Sequence, residues 1–461
     1  MLTLQLGYFG LILWFGLYMM NRDARNLRLL LAGISVLVSA FCVGTALLLT
    51  YSQHAETIVF LGNVRDICFY LPLVLWQGAI LSPAVGEEEK RNILWKLWKY
   101  ALAALTIGSV IWLVLARNSD GYDMFYSLVT GMITLLLTAL SIWDSVVTGR
   151  QKRSLSYIVC SYVPLLVFAC LTALIIFLPE GTWEKGKLIV NSAGLILFGA
   201  YTMIKEIRKQ GESWLPDLFR SLDYSIFFTL IFSGQVALVI WLGKGLDFTS
   251  LLLLMISIAV SISFQVFVYP IRAFLDNIAF MTFPKLRTER SKLRIAESVQ
   301  VRIDTDAKPE EMNEEELYRH IRRALSNLGN LERLASSPLV QLKLIEERIH
   351  RRKTGNGIVE RANELKFLLI DTIIEMKPRG DKPFGTTDEW KFYNALYFPY
   401  VVGIKPYSVR YSDEQLDTPS KEALDWFRTY VPERTCYNWQ NAGARLIASS
   451  LREKNDLAQA Q

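Results

Sequence analysis

Five side chains near the end of the chain combine suitable chemistry with helical spacing: Arg434, Tyr437, Asn438, Asn441 and Arg445. At about 100° per residue, Arg434, Asn438, Asn441 and Arg445 fall on one side of a helix with Tyr437 beside them. Cys436, Trp439, Gly443, Leu446, Ile447 and Ser450 fall on the other, as a core face would. Arg and Asn make the forked hydrogen bonds that match guanine and adenine edges in a DNA major groove. The same donors also suit a polar interface with a protein.

Two other groups carry charge in suggestive places. The run Pro284–Arg294 holds Lys285, Arg287, Arg290, Lys292 and Arg294 against the single acid Glu289. Anionic lipids attract such residues by roughly 1 kcal/mol each; the alternative is a solvated flank that stops translocation. Arg65 and Asp66 lie inside an apolar run, where ionisable groups mark ion or proton paths. The simpler reading is a structural pair near the outer interface, with Arg65 reaching for headgroups. Neighbours on a helix point about 100° apart, so each is expected to meet another helix rather than its neighbour.

Catalytic signatures do not follow. His320 invites comparison with the phosphoacceptor of a sensor kinase, but Ile321, Arg322 and Arg323 follow it where an acid is usual. No asparagine-containing or glycine-rich ATP-binding box lies downstream, so His320 reads as a surface histidine. The sequence holds no GxxxxGK, GxSxG or HExxH motif. Its five cysteines, Cys42, Cys68, Cys160, Cys170 and Cys436, form no CxxC pair. No enzyme, metal or cofactor is expected.

The elements that carry these groups are helices, most of them apolar. Of 461 residues 52% are hydrophobic and only 20% charged, an excess that points to membrane. The run Phe248–Pro270 contains no ionisable residue and is long enough to cross a hydrocarbon core of roughly 30 Å. Arg272 follows it, and from there the chain reads as soluble. Nine spans fit, near 2–20, 28–50, 57–82, 98–116, 123–146, 155–178, 187–204, 224–243 and 248–270. The odd-numbered connections carry fourteen Lys and Arg, and the even-numbered ones carry four, Arg117, Lys185, Lys187 and Lys244. Positive charge stays inside. The expectation is a multi-pass protein of the cell (inner) membrane, N-terminus outside, with residues 1–270 in the bilayer and the tail cytoplasmic.

The tail reads as an amphipathic and basic arm with a linker over 271–310, then an all-helical domain over 311–461. Asn313 caps a helix with Glu314, Glu315 and Glu316 in its first turn. A second helix is expected from Leu331 to Lys353, before Gly355, and a third from Ile358 to Met376, before Pro378. In the final stretch 388–452, Trp390, Tyr393, Leu396, Tyr400 and Gly403 follow a helical spacing with Gly403 as the stop. The turn Pro432–Thr435 then joins two further helices. The fold class is all-α.

Trp390…Gly403, followed by Arg434-Thr435-x-Tyr437 and then Ala442, Leu446 and Leu451, resembles the helix-turn-helix of bacterial regulators akin to sigma-factor region four. The resemblance covers about the last seventy residues. It implies Lys421–Tyr430 as the supporting helix, Thr435–Leu451 as the recognition helix, and DNA as a partner. From Lys285 onward, however, 30 Lys and Arg face 27 Asp and Glu, little net charge for holding phosphates. The expectation is a membrane-embedded regulator or sensor whose helix-turn-helix-like tail either binds DNA or keeps the fold for a protein contact, the two standing level. Its alternatives are a scaffold that binds a protein through the same tail, and a transporter or channel resting on Arg65 and Asp66.

Overall fold

The computed structural model describes residues 2–24, 26–82, 93–115, 131–133, 135–140, 142–143, 184–210, 212–243, 245–300, 302, 312–352, 355–380, 382–408 and 416–459. Among these residues the regular secondary structure is helical, without a strand. Five helices are long and apolar enough to cross a membrane: α1 (Leu2–Arg22), α2 (Leu27–Leu49), α3 (Ala55–Leu81), α6 (Leu215–Leu242) and α7 (Phe248–Val266). They coincide with the first three and the last two of the nine expected runs. The fourth and seventh runs fall on helices α4 (Ile93–Leu115) and α5 (Glu184–Gln210). The fifth lies largely, and the sixth wholly, outside the described residues.

The chain divides into two compact units, Met1–Glu206 with Leu218–Arg272, and Ile207–Asp217 with Ala273–Gln461. In the first, α1 packs on α2 and α7, and α2 packs on α3. Small residues allow the close crossing of α1 and α2. A Cβ at Gly16 would stand 2.8 Å from the Leu37 backbone nitrogen, and one at Gly33 would stand 3.0 Å from the Gly16 carbonyl. Glycine at both positions lets backbone meet backbone, the usual device where no hydrophobic force separates helix from lipid. The starts of two helices are fixed by side chains. Asn26 accepts from the Arg28 and Leu29 amides, and Asp247 with Ser250 forms a capping box for α7.

Helix α8 (Val268–Ala279) begins in the first unit and enters the second at Ala273, where α9 (Pro284–Gln300) follows it. The core of the second unit is built by α10 (Glu314–Ser326), α11 (Leu331–Ala335), α12 (Lys343–Arg352), α13 (Ile358–Glu375), α14 (Lys391–Leu396), α15 (Thr418–Tyr430) and α16 (Glu433–Gln459). Leu317, Ile321 and Leu325 of α10 meet Leu334, Ile345, Leu369, Phe427 and Ile447 in one apolar cluster that also takes in Val299 of α9. The single helix expected from Leu331 to Lys353 is three pieces over its described residues. Ser337 caps a 3₁₀ turn over Pro338–Gln341 between α11 and α12, because proline lacks the amide that a continuous helix needs. Similarly, Pro399 loosens the end of α14 into a π-helical turn, Tyr397–Val402, closed by a bond from the Gly403 amide to the Phe398 carbonyl at 2.9 Å. Gly403 itself has φ +89°, the left-handed conformation that favours glycine.

Candidate functional site

The candidate site lies where α16 meets α10. Only Val431 and Pro432 separate α15 from α16, and the Pro432 carbonyl accepts the Thr435 and Cys436 amides at 2.9 and 3.1 Å. Helix α16 then runs to Gln459, eight residues beyond the expected end at Leu451. Its buried stripe explains the length: Cys436, Gln440, Ala444, Ile447, Ala448, Leu451 and Asn455 all point inward. Lys454 adds an ion pair to Glu375 of α13 at 2.6 Å. Leu446, expected in the core, is 48% exposed. It lies about 100° from Ile447, so the stripe passes it by. Trp439 is half-buried and stacks on Trp426 of α15 with ring centroids 6.0 Å apart.

The five candidate residues do not share one environment. Arg434, Tyr437 and Asn438 are exposed in the first two turns of α16. Asn441 and Arg445, also on the exposed side, are held by α10. Arg322 donates from Nε to Asn441 Oδ1 at 3.0 Å and from a terminal nitrogen to Gln440 Oε1 at 3.1 Å. Its other terminal nitrogen reaches Ser326 at 3.2 Å and the Tyr400 hydroxyl, and its guanidinium lies over the Tyr400 ring, 5.4 Å from the centroid. Arg445 sits over the Tyr318 ring at 4.9 Å and reaches Glu315 at 3.8 Å.

Gln440 is the buried hub beneath. Its Oε1 also accepts from the Tyr400 hydroxyl at 2.8 Å, and its amide nitrogen donates to Cys436 Sγ at 3.8 Å. Burial raises the Tyr400 hydroxyl despite Arg322, and pushes the Cys436 thiol up to about 11. Both stay neutral at physiological pH, so the network is one guanidinium charge shared among neutral acceptors. Arg322, Gln440, Tyr318 and Glu315 have no role in the sequence motif. The one available signal is that Gln440 occupies the i+4 place after Cys436 in a stripe that is otherwise apolar or small as far as Leu451.

His320, one turn along α10, is half-buried rather than on the surface. Burial, then Arg323 and Arg319, push its imidazole down to about 4.

Of the basic run, Lys285, Arg287, Arg290 and Lys292 are exposed along α9. Arg294 pairs with Asp276 of α8, Lys292 with Glu289 at 3.1 Å, and Arg290 lies over the Phe280 ring at 5.7 Å. In the first unit, Arg65 and Asp66 bond to each other at 2.9 Å, a pairing that the spacing of neighbours on a helix does not suggest. The flexible arginine side chain bends round the helix to cover the angle between neighbouring residues. A more deeply buried pair escapes sequence reading. Arg28 meets Glu206 at 3.1 Å, with side-chain exposures of 10% and 13%, and also donates to the Ser82 carbonyl at 3.1 Å.

No protein-family model, no curated protein and no solved structure matches this chain.

Proposed function

We propose that this chain is a membrane-embedded regulator or sensor whose helical tail domain binds a protein partner through the exposed start of α16. The topology in this reading is that of the sequence: nine spans in the cell (inner) membrane, N-terminus outside, tail domain cytoplasmic. The observation that supports a protein partner over DNA is the engagement of Asn441 and Arg445 by α10. A bidentate base contact through Asn441 would compete with the Arg322 guanidinium for the amide oxygen. The near balance of 30 basic and 27 acidic residues from Lys285 onward points the same way, because phosphate contacts dominate DNA affinity.

DNA is the second reading, favoured by one feature. Arg434 and Asn438 are exposed at the N-terminal end of a helix entered by a two-residue connection, and helix-turn-helix proteins read bases from that end. Titrating the purified full chain with mixed genomic fragments at two salt concentrations separates the two. Retention that falls with a slope near −0.9 per contacted phosphate establishes DNA. Absence of retention even at low salt, with a photo-crosslinker at Asn438 capturing one protein in cells, establishes the partner. Topology has its own test. Single cysteines at Ser52 and Asp120 are expected to label from outside intact cells, and one at Thr148 is not.

A further inference from the structure

Helix α8 begins two residues after the end of α7, and none of its residues is buried. Its apolar side chains nevertheless follow a strict helical spacing. Phe274, Leu275 and Ile278 are 64%, 54% and 60% exposed, and Met281 and Phe283 in the turn that follows are 75% and 63% exposed. On α9, Leu286 and Leu293, seven residues apart, are 46% and 64% exposed on one face, while Lys285 and Lys292, also seven apart, share another. The two helices are tied to each other by the Arg294–Asp276 ion pair and by Arg290 over Phe280.

The far end of α9 is seated in the domain core. Val299 is fully buried there, Ser298 donates to Glu332 of α11 at 3.2 Å, and Arg302 just beyond reaches the same carboxylate at 3.5 Å. The arm is therefore seated in the core at one end and leaves its large apolar side chains exposed at the other. A row of large apolar side chains with basic residues beside it matches one surface in chemistry: an anionic bilayer, with acyl chains for the rings and headgroups for the cations. Chain continuity with α7, apolar and ending at Val266, supplies that surface within reach.

We infer that the α8–α9 arm lies in the interface of an anionic membrane, with Phe274, Ile278 and Met281 inserted and Lys285 and Arg287 on the headgroups, so that lipid charge sets the seating of the tail domain. The inference rests on the membrane reading above and names the lipid class that would act on it. Of the five basic residues, Arg294, Lys292 and Arg290 are engaged within the arm. Lys285 and Arg287 form no ion pair among the described residues, which makes them the headgroup ligands. An arm anchored in lipid at one end and in the core at the other transmits a change of bilayer charge directly to α11 and α13, on which α9 packs.

The test uses the full chain, its five cysteines replaced, in nanodiscs of phosphatidylcholine with or without phosphatidylglycerol. Nitroxide labels go one at a time on Phe274→Cys, Ile278→Cys, Met281→Cys, Thr288→Cys and, as a reference in α7, Val260→Cys. With phosphatidylglycerol, labels at 274, 278 and 281 are expected to be accessible to oxygen and shielded from a nickel chelate, and the label at 288 the reverse. The double variant Lys285→Gln/Arg287→Gln should weaken this insertion roughly fivefold per residue and reduce its dependence on phosphatidylglycerol. Nickel access at 274–281 with protection at 260 overturns the arm inference alone. Exclusion of both reagents at 274–281 also overturns it, because protein then covers the arm. Nickel access at 260 removes the membrane reading and the arm with it.

Discussion

Arg322 of α10 and Asn441 of α16, 119 residues apart, are joined by a 3.0 Å hydrogen bond from the guanidinium Nε to the amide oxygen. The same arginine holds Gln440 and Tyr400, so one side chain ties three elements together at the surface of the core. A ligand that takes the position on Asn441 Oδ1 now held by Arg322 must displace a charge-assisted hydrogen bond. The first two turns of α16 carry no such requirement at Arg434 and Asn438, which is why the proposed partner contact is placed at that end.

Arg322→Ala should loosen α10 from α16 without unfolding the domain. Hydrogen bonds from a charged donor are worth about 1.5–3 kcal/mol, and this variant leaves the buried Gln440 oxygen with Tyr400 as its remaining donor. Hydrogen exchange of the full chain should show faster exchange in α10 and α16 and unchanged rates in α13. Arg322→Lys should restore only part of the protection, since an ammonium cannot reproduce the planar fork. Unchanged exchange in Arg322→Ala would mean that the clamp contributes nothing.

In the first unit, Glu206→Gln should be more damaging than replacing both partners. Arg28 and Glu206 are largely buried, and removing one charge strands the other at a cost of about 3–5 kcal/mol. The double variant Arg28→Met/Glu206→Leu leaves no stranded charge and should recover much of the loss. Unfolding of the detergent-solubilised chain measures both. Equal loss in the single and double variants would place the cost elsewhere than in the stranded arginine.

The helices were easiest to foresee where a cap and a period agree. Asn313 with its three glutamates announces α10, and its side chain does accept the Glu316 amide at 2.8 Å. Periodicity is weaker where an apolar stripe continues through a break. Leu334, Leu339, Leu342 and Ile345 look like one helix face, and only the amide missing from Pro338 divides it. Long-range partners are not legible at all. A polar face on α16 is readable from spacing, but that α10 meets it depends on how a core assembled from several helices closes. The docking of Glu212 onto Ser336 at 2.9 Å, which brings the α5–α6 connection into the second unit, is hidden for the same reason.

Gly403→Ala isolates a purely conformational effect. The residue has φ +89° and a Cβ there would meet nothing within 4 Å, so no steric clash accompanies the change. A left-handed non-glycine residue costs about 1–2 kcal/mol, and the domain should lose about that much. Gly403→Asn should lose less, since asparagine tolerates this conformation. Equal losses for the two variants would mean that something other than backbone conformation makes glycine necessary.

His320 gives the domain a pH dependence whose direction is fixed by its surroundings. Burial and the charges of Arg323 and Arg319 outweigh the opposite pull of Glu316, and the imidazole is driven from its ordinary 6.5 to about 4 in the folded chain. A base with a depressed folded pKa takes up its proton more readily when unfolded. Unfolded chains therefore bind more protons between about 4 and 6.5, and stability rises with pH through that window and is level above it. Carboxylates titrate near the lower end as well, so the wild-type curve alone does not isolate the histidine. The comparison with His320→Gln does, because glutamine fills similar space without titrating. The stability difference between wild type and variant should be constant above pH 6.5 and shift against the wild type as the pH falls towards 4. Chemical unfolding of the full chain, followed by hydrogen exchange in α10 at several pH values, measures it. A difference independent of pH would show that His320 titrates in the folded domain as it does in the unfolded chain, and the half-buried position would then be open to water.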